Sequence, residues 1–173
     1  MEIISHLEEK IRDVPDFPKP GILFKDITPL LNHGPTFQKV THHFADRYRD
    51  VGLTKIVGIE SRGFIFGSAL AHHLGVGLTV VRKPGKLPYH TEKEEYELEY
   101  GTDCLEIHVD AVTKDDKVII IDDLLATGGT AAAATRLVTR QGAHVHEIAF
   151  VIELAFLKGK DKLNHPSYSI LQY

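Results

Sequence analysis

The segment Val118-Ile119-Ile120-Ile121-Asp122-Asp123-Leu124-Leu125-Ala126-Thr127-Gly128-Gly129-Thr130 constrains this chain more than any other. Four consecutive β-branched residues predict a strand buried on both faces, as in the interior of a mostly parallel α/β sheet. Two carboxylates, Asp122 and Asp123, follow at its carboxyl end, where open α/β sheets bind their ligands. The next turn holds Ala126, Thr127, Gly128, Gly129 and Thr130 and opens into an Ala-rich helix expected over Thr130 to Gln141. Small residues let backbone N–H groups approach an anion, and a helix N-terminus adds partial positive charge. A phosphate in that turn would be repelled by two neighbouring carboxylates unless these accept hydrogen bonds from hydroxyls or face a metal. A phosphorylated sugar meets both demands. The segment has neither the Gly-Lys-Ser/Thr of a Walker loop nor a GxGxxG fingerprint. An ordinary βα turn with solvated Asp caps explains one acid better than two.

Around this segment the pattern alternates strands and helices. Ile3, Ile4, Leu7 and Ile11 predict an amphipathic helix within Glu2 to Arg12, and three prolines and a glycine force an extended, turning path from Val14 to Gly21. Helical spacing returns with Val40, Phe44, Tyr48 and Val51. Lys55–Ile59 reads as a buried strand, Ser61-Arg62-Gly63 as a turn into a helix reaching Leu74, and Gly77–Val81 as a strand. A polar stretch runs from Arg82 to Glu97. The segments 96–100 and 104–109 alternate apolar and polar about Gly101-Thr102-Asp103, a hairpin pattern. Strands at Val145–Ile152 and Tyr168–Leu171 close the chain.

The 173 residues suit one domain, 1–173, without repeats or a linker, and a chain of this size buries roughly 70% of its unfolded surface. Twenty Lys and Arg against 24 Asp and Glu give a net charge of -4, the wrong sign for a surface that neutralises nucleic acid. No apolar run nears the roughly 20 residues that span a bilayer. With Cys104 the one cysteine, no intrachain disulfide is available, and a cytoplasmic protein is the expectation. Eleven histidines invite a metal reading, but His144 and His146, at strand period two, have no third ligand at suitable spacing.

Two hydrophobics, two acids, two hydrophobics and Ala-Thr-Gly-Gly-Thr resemble the phosphoribosyl-pyrophosphate (PRPP) motif of type I phosphoribosyltransferases. The resemblance covers nearly the whole chain: Pro15-Asp16-Phe17-Pro18, Asp26-Ile27-Thr28-Pro29, Ser61-Arg62-Gly63-Phe64, Gly85-Lys86-Leu87-Pro88, Leu98-Glu99-Tyr100-Gly101 and Leu171-Gln172-Tyr173 are similar to the adenine-specific branch. It implies a type I phosphoribosyltransferase fold with a small hood (about 14–34 plus the C-terminal segment) and a mobile β-hairpin loop. It also implies transfer from PRPP to adenine through a ribosyl-cation-like transition state, giving AMP and pyrophosphate in purine salvage. Mg²⁺ would be held mainly by PRPP with no dedicated protein site, and the protein would be a homodimer.

By the same resemblance, Asp122 and Asp123 hold the ribose, residues 126–130 cradle the phosphate, and Ser61 with Arg62 forms the pyrophosphate loop. That loop often carries a cis peptide, which here would be Glu60–Ser61. Lys83 and Lys86 supply further cations from the mobile loop, although Pro84 stands where the family has a basic residue. Glu99 matches the proposed general acid/base. Phe24 stacks on the base with Leu157 a candidate for its other face. Leu23 and Lys25 read the base edge through backbone groups, with Lys25 where the family often has Arg. Ala126 replaces the Asp that contacts 6-oxopurines, which favours adenine. The alternatives are a 6-oxopurine enzyme and a non-catalytic PRPP- or purine-sensing module. Against the sensor stand Arg62, Lys83, Lys86 and Glu99, cations and an acid that sensing does not require.

Overall fold

The computed structural model describes residues 2–97 and 101–173. Five strands form one sheet: β3 (Lys55–Ile59), β4 (Gly77–Val81), β7 (Lys117–Leu125), β8 (His144–Glu153) and β9 (Ser167–Gln172), ordered β4-β3-β7-β8-β9 and parallel throughout. The helices are α1 (Glu2–Glu8), α2 (Thr28–Asn32), α3 (Gly34–Tyr48), α4 (Arg62–Leu74) and α5 (Gly129–Arg140). Two antiparallel pairs complete the fold, β1 (Arg12–Pro15) with β2 (Leu23–Asp26) and β5 (Thr91–Glu97) with β6 (Thr102–His108). No described helix is long and apolar enough to cross a membrane.

The isoleucine run behaves as its pattern demands. Val118 and Ile120 enter a core with Leu137 of α5 and with Leu105 and Ile107 of β6. Ile119 and Ile121 point into the opposite core with Phe44, Tyr48, Phe66 and Leu70 of α3 and α4. All four are fully buried. The chain leaves β3 for β4 on one side and returns to β7 on the other, so the order reverses between β3 and β7. Ligands bind at such a switch point, outside the carboxyl ends of the strands.

Three expectations need correction. The helix expected to reach Arg12 ends at Glu8, and Arg12 instead pairs with Asp26 in the β1–β2 ladder. The strand carrying the acids runs on through Asp122 and Asp123 to Leu125. The polar stretch already contains β5 from Thr91, with Glu94 turned toward α5: Arg136 Nε donates to Glu94 at 2.5 Å, and Arg140 bonds the same carboxylate. Alternating Glu and Lys conceal a strand from any reading of apolar period.

Where β3 begins, Asp116 accepts from Thr54 Oγ1 (2.8 Å), Lys55 Nζ (2.9 Å) and Thr113 N (2.8 Å). Burial alone would raise its pKa, but these donors outweigh it and bring it to about 2. A carboxylate depressed in the folded state stabilises above its unfolded pKa, near 3.9, and stops doing so as pH falls through the folded value. Asp116→Asn is therefore expected to unfold about 1–2 kcal/mol more easily at pH 6–7. In denaturant titrations at stepped pH the gap should close between about pH 4 and 2.

Candidate active site

At the switch point the chain turns from β3 into α4 through Glu60, Ser61 and Arg62, and the Glu60–Ser61 peptide is cis, as the resemblance implies. Ser61 is the exposed residue capping α4, with no side-chain cap bond. Gly63 lets the first turn of α4 lie on the end of β7, since a Cβ there would sit 2.6 Å from the Ile121 carbonyl oxygen. Strand alternation carries Asp123 to this face, where Arg62 Nε donates to Asp123 Oδ2 at 2.5 Å. The Asp123 carboxylate is almost fully buried, the guanidinium about half so. Its ion pairing outweighs burial and raises the Arg62 pKa. For Asp122 burial comes first and the Asp123 charge second, and both push its pKa well above the carboxylate range. The adjacent acids are thus unlike: one is paired with a cation, while the ionised form of the other is disfavoured by burial and by its neighbour's charge.

Beyond β7 the phosphate-loop residues surround a cavity of about 80 Å³ lined by Asp122, Ala126, Thr127, Gly128, Thr130 and their neighbours. Gly128 caps α5 at φ 80° and no side chain caps the helix, so the first N–H groups of α5 remain available to an anion. Gly129 is the first residue of α5. A residue the sequence reading missed supports this loop. Gly159 packs directly against it: a Cβ on Gly159 would collide with the Ala126 carbonyl oxygen, and one on Gly128 with the Gly159 carbonyl oxygen. The Gly of Lys158-Gly159 is the only sequence trace of this contact. Gly159 opens a 3₁₀ turn (Gly159–Lys162) that Glu153 secures, accepting from Lys160 Nζ (2.6 Å) and Ser169 Oγ (2.9 Å).

On the opposite side, β2 pairs with β1 along one edge only. Its second edge pairs with no described strand. Phe24 is half-buried, edge-on to Phe17 at 5.1 Å, with the Arg62 guanidinium carbon 5.8 Å from its ring centre. Leu23 is exposed. The Lys25 side chain is occupied by Asp13 (2.6 Å) and by the Tyr173 ring. Leu157 is exposed on a 3₁₀ turn (Ala155–Leu157) that Leu154 N ties to the Leu125 carbonyl at 2.9 Å.

The first residues after β4 are also anchored. Arg82 forks onto Glu60 (2.8 and 3.3 Å), and Lys83 N donates to the same carboxylate at 2.8 Å. Opposite charges at the ends of adjacent parallel strands are a legible signal, but only once the strand order is known. Lys83 Nζ bonds Asp103 and the Tyr96 hydroxyl (3.1 Å) on the hairpin. Lys86 is exposed, with its carbonyl accepting from Arg82 at 3.2 Å. Glu99 lies outside the described residues.

Such a site, an uncapped helix N-terminus beside paired carboxylates at a switch point, is built for a phosphorylated sugar. The sequence pattern of the Phosphoribosyl transferase domain matches residues 26–171, and the chain belongs to that family. Within it, the similarity is to adenine phosphoribosyltransferases. That of Roseiflexus sp. (strain RS-1) is 55% identical over 170 residues, 98% of this chain and 99% of the relative. The crystal structure of the Rhodothermus marinus enzyme is 50% identical with a TM-score of 0.94, covering 99% of both chains. That of Saccharomyces cerevisiae, complexed with D-2,5-dideoxy-2,5-imino-altritol 1,6-bisphosphate and adenine, is 45% identical with a TM-score of 0.94 over 98% of this chain and 99% of its own.

Overpacking at the glycine contact should distort the phosphate loop. Gly159→Ala is expected to weaken ribose 5-phosphate binding about ten-fold or more by calorimetry, the effect of the 1–3 kcal/mol that an unaccommodated methyl costs.

Proposed function

We propose that this chain catalyses the adenine phosphoribosyltransferase reaction, transferring the 5-phosphoribosyl group of PRPP to N9 of adenine and releasing pyrophosphate. The observation that carries the reading is the phosphate-sized cavity at the uncapped start of α5, walled by Asp122. The ligands of the yeast relative, a sugar-bisphosphate analogue and adenine, fit the same division into a phosphate side and a base side.

In this reading the α5 N–H groups with Thr127 and Thr130 bind the 5-phosphate. Asp122 and Asp123 take the ribose hydroxyls, the neutral form of Asp122 serving as donor as well as acceptor. Adenine enters against Phe24, opposite Leu157, and its edge is read by the free backbone groups of Leu23 and Lys25. With Ala126 beside the cavity, no carboxylate at that position addresses a 6-oxopurine. The C1′–O bond to pyrophosphate breaks as N9 forms its bond to C1′, and Arg62, with Lys83 and Lys86, balances the charge on the leaving oxygens. Glu99 takes the purine proton. Among the described residues no three His, Cys, Asp or Glu are grouped to hold a metal, and Arg62 already occupies Asp123. This donor set would suit a Mg²⁺ carried chiefly by PRPP, with Asp122 the nearest carboxylate not already paired with a cation. When bound, it supplies charge neutralisation at the leaving group. Homodimeric assembly belongs to the same reading.

The direct test is the purified chain with PRPP, Mg²⁺ and adenine, hypoxanthine or guanine in parallel, following nucleotide and pyrophosphate. AMP from adenine alone is expected. Turnover of hypoxanthine or guanine instead would overturn the base assignment, and PRPP binding without turnover would make the chain a sensor. Replacing Asp122 and Asp123 together with Asn should abolish turnover. Glu99→Gln should lower kcat by about 10²–10⁴-fold, the usual range for a general acid/base, with KM for PRPP nearly unchanged. An unaltered kcat would remove Glu99 from that role.

A further inference from the structure

Tyr173 touches three parts of the molecule at once. Its backbone N–H donates to the Glu153 carbonyl at the end of β8 (2.9 Å), and its own carbonyl accepts from Ala155 N (2.8 Å), where the turn carrying Leu157 begins. Its half-buried ring lies 3.9 Å from Lys25 Nζ. That ammonium is also 2.6 Å from Asp13 on the paired strand β1, and the Lys25 side chain is only 10% exposed. A lysine at a strand edge normally sends its head group into water. Here it is turned inward and held between a carboxylate and an aromatic face. A cation over a ring gains most where both are partly desolvated, as at this contact.

The consequence is geometric. β2 and the Ala155–Leu157 turn are far apart in sequence, and both contact Tyr173. β2 belongs to a separate two-stranded sheet, whereas the turn follows β8 directly and is hydrogen-bonded to the end of β7 through Leu154 and to Tyr173 through Ala155. The spacing between them sets the width of any slot for a flat ring between Phe24 and Leu157. Tyr173 spans that spacing with a ring on one side and a peptide bond on the other. Asp13 cannot do so, because it sits on β1 and moves with β2.

We infer that Tyr173 is a positioning residue for the purine: its ring holds Lys25, and with it β2, at a set distance from the turn that carries Leu157. The inference rests on the base site as assigned above. It adds a specific device, a cation–aromatic contact that touches neither substrate yet governs the affinity of one of them.

The test is a comparison of Tyr173→Phe, Tyr173→Leu and Lys25→Met with the parent, measuring KM for adenine, KM for PRPP and kcat, with Phe24→Ala as a control. Tyr173→Phe keeps the aromatic face and should stay within about two-fold of the parent in all three, whereas Tyr173→Leu should raise KM for adenine about ten-fold while KM for PRPP stays within about two-fold. Lys25→Met should reproduce that split, and the Lys25→Met/Tyr173→Leu double variant should be no worse than either single one, because both remove the same contact. Parent-like adenine KM in Tyr173→Leu, an equal rise in both KM values, or additive effects in the double variant would overturn the proposal. If Tyr173→Leu does not fold, the adenine-against-PRPP split in Lys25→Met decides in its place. A large adenine effect in Phe24→Ala beside a parent-like Tyr173→Leu would overturn this proposal alone. No adenine effect in Phe24→Ala would overturn the base site and this inference with it.

Discussion

Burial of β7 on both faces is the constraint on which the site depends. A strand with cores above and below is held by packing on each side, Val118 and Ile120 against one core and Ile119 and Ile121 against the other, and this places its carboxyl end. Two carboxylates at that end are correspondingly desolvated, and two buried like charges side by side are costly. The fold resolves this asymmetrically. Asp123 faces α4 and is neutralised by Arg62, whereas Asp122 faces the α5 cavity and favours its neutral form. An acceptor held by a cation and a carboxyl able to donate suit a ligand with adjacent hydroxyls better than two identical carboxylates would.

Close approach is the second theme. α4 and α5 both begin at the switch point, and each is admitted by a glycine. Gly63 lets α4 rest on the β7 backbone, and the reciprocal contact of Gly128 with Gly159 lets the phosphate loop rest on the 3₁₀ turn. Rigid backing of this kind keeps N–H groups aimed where charge will reside, so little reorganisation is needed when an anion arrives. Glu153 links this backing to the sheet, because the same buried carboxylate holds Lys160 of the turn and Ser169 of β9.

Much of this was legible from local pattern. The buried strand, the paired acids and the Gly/Thr turn into a helix are contiguous, and contiguous signals survive without tertiary knowledge. The arrangement around them was not. Gly159 acts through a contact across 30 residues of chain and has only a lone glycine to announce it. β5 hides an inward-facing acid, Glu94, whose counter-charges Arg136 and Arg140 lie on a helix that comes later in sequence. The Glu60–Arg82 fork depends on β3 and β4 being neighbours, which alternation implies but does not prove. The early end of α1 at Glu8 reflects pairing of Arg12 with Asp26, a tertiary preference that overrides helical spacing.

Two of the three cations proposed for pyrophosphate are already engaged in this state, Arg62 by Asp123 and Lys83 by Asp103 and Tyr96. Binding of an anion there is therefore an exchange of partners and not the filling of a vacant charge. Such an exchange tempers ground-state affinity, because each internal ion pair weakens as the ligand engages. It leaves the full attraction available where negative charge is greatest, on the departing pyrophosphate, and interactions that strengthen toward the transition state are the ones that accelerate chemistry. Asp103 lies on the hairpin and Asp123 in the sheet, so the two exchanges differ in mechanical consequence. Release of Lys83 uncovers Asp103 on the hairpin, which stays joined to the end of β4 by the Arg82–Glu106 backbone bonds (2.9 and 2.7 Å), whereas a shift of Arg62 uncovers Asp123 in the sheet. The resting ion pairs thus hold Arg62 and Lys83 in place before any anion arrives.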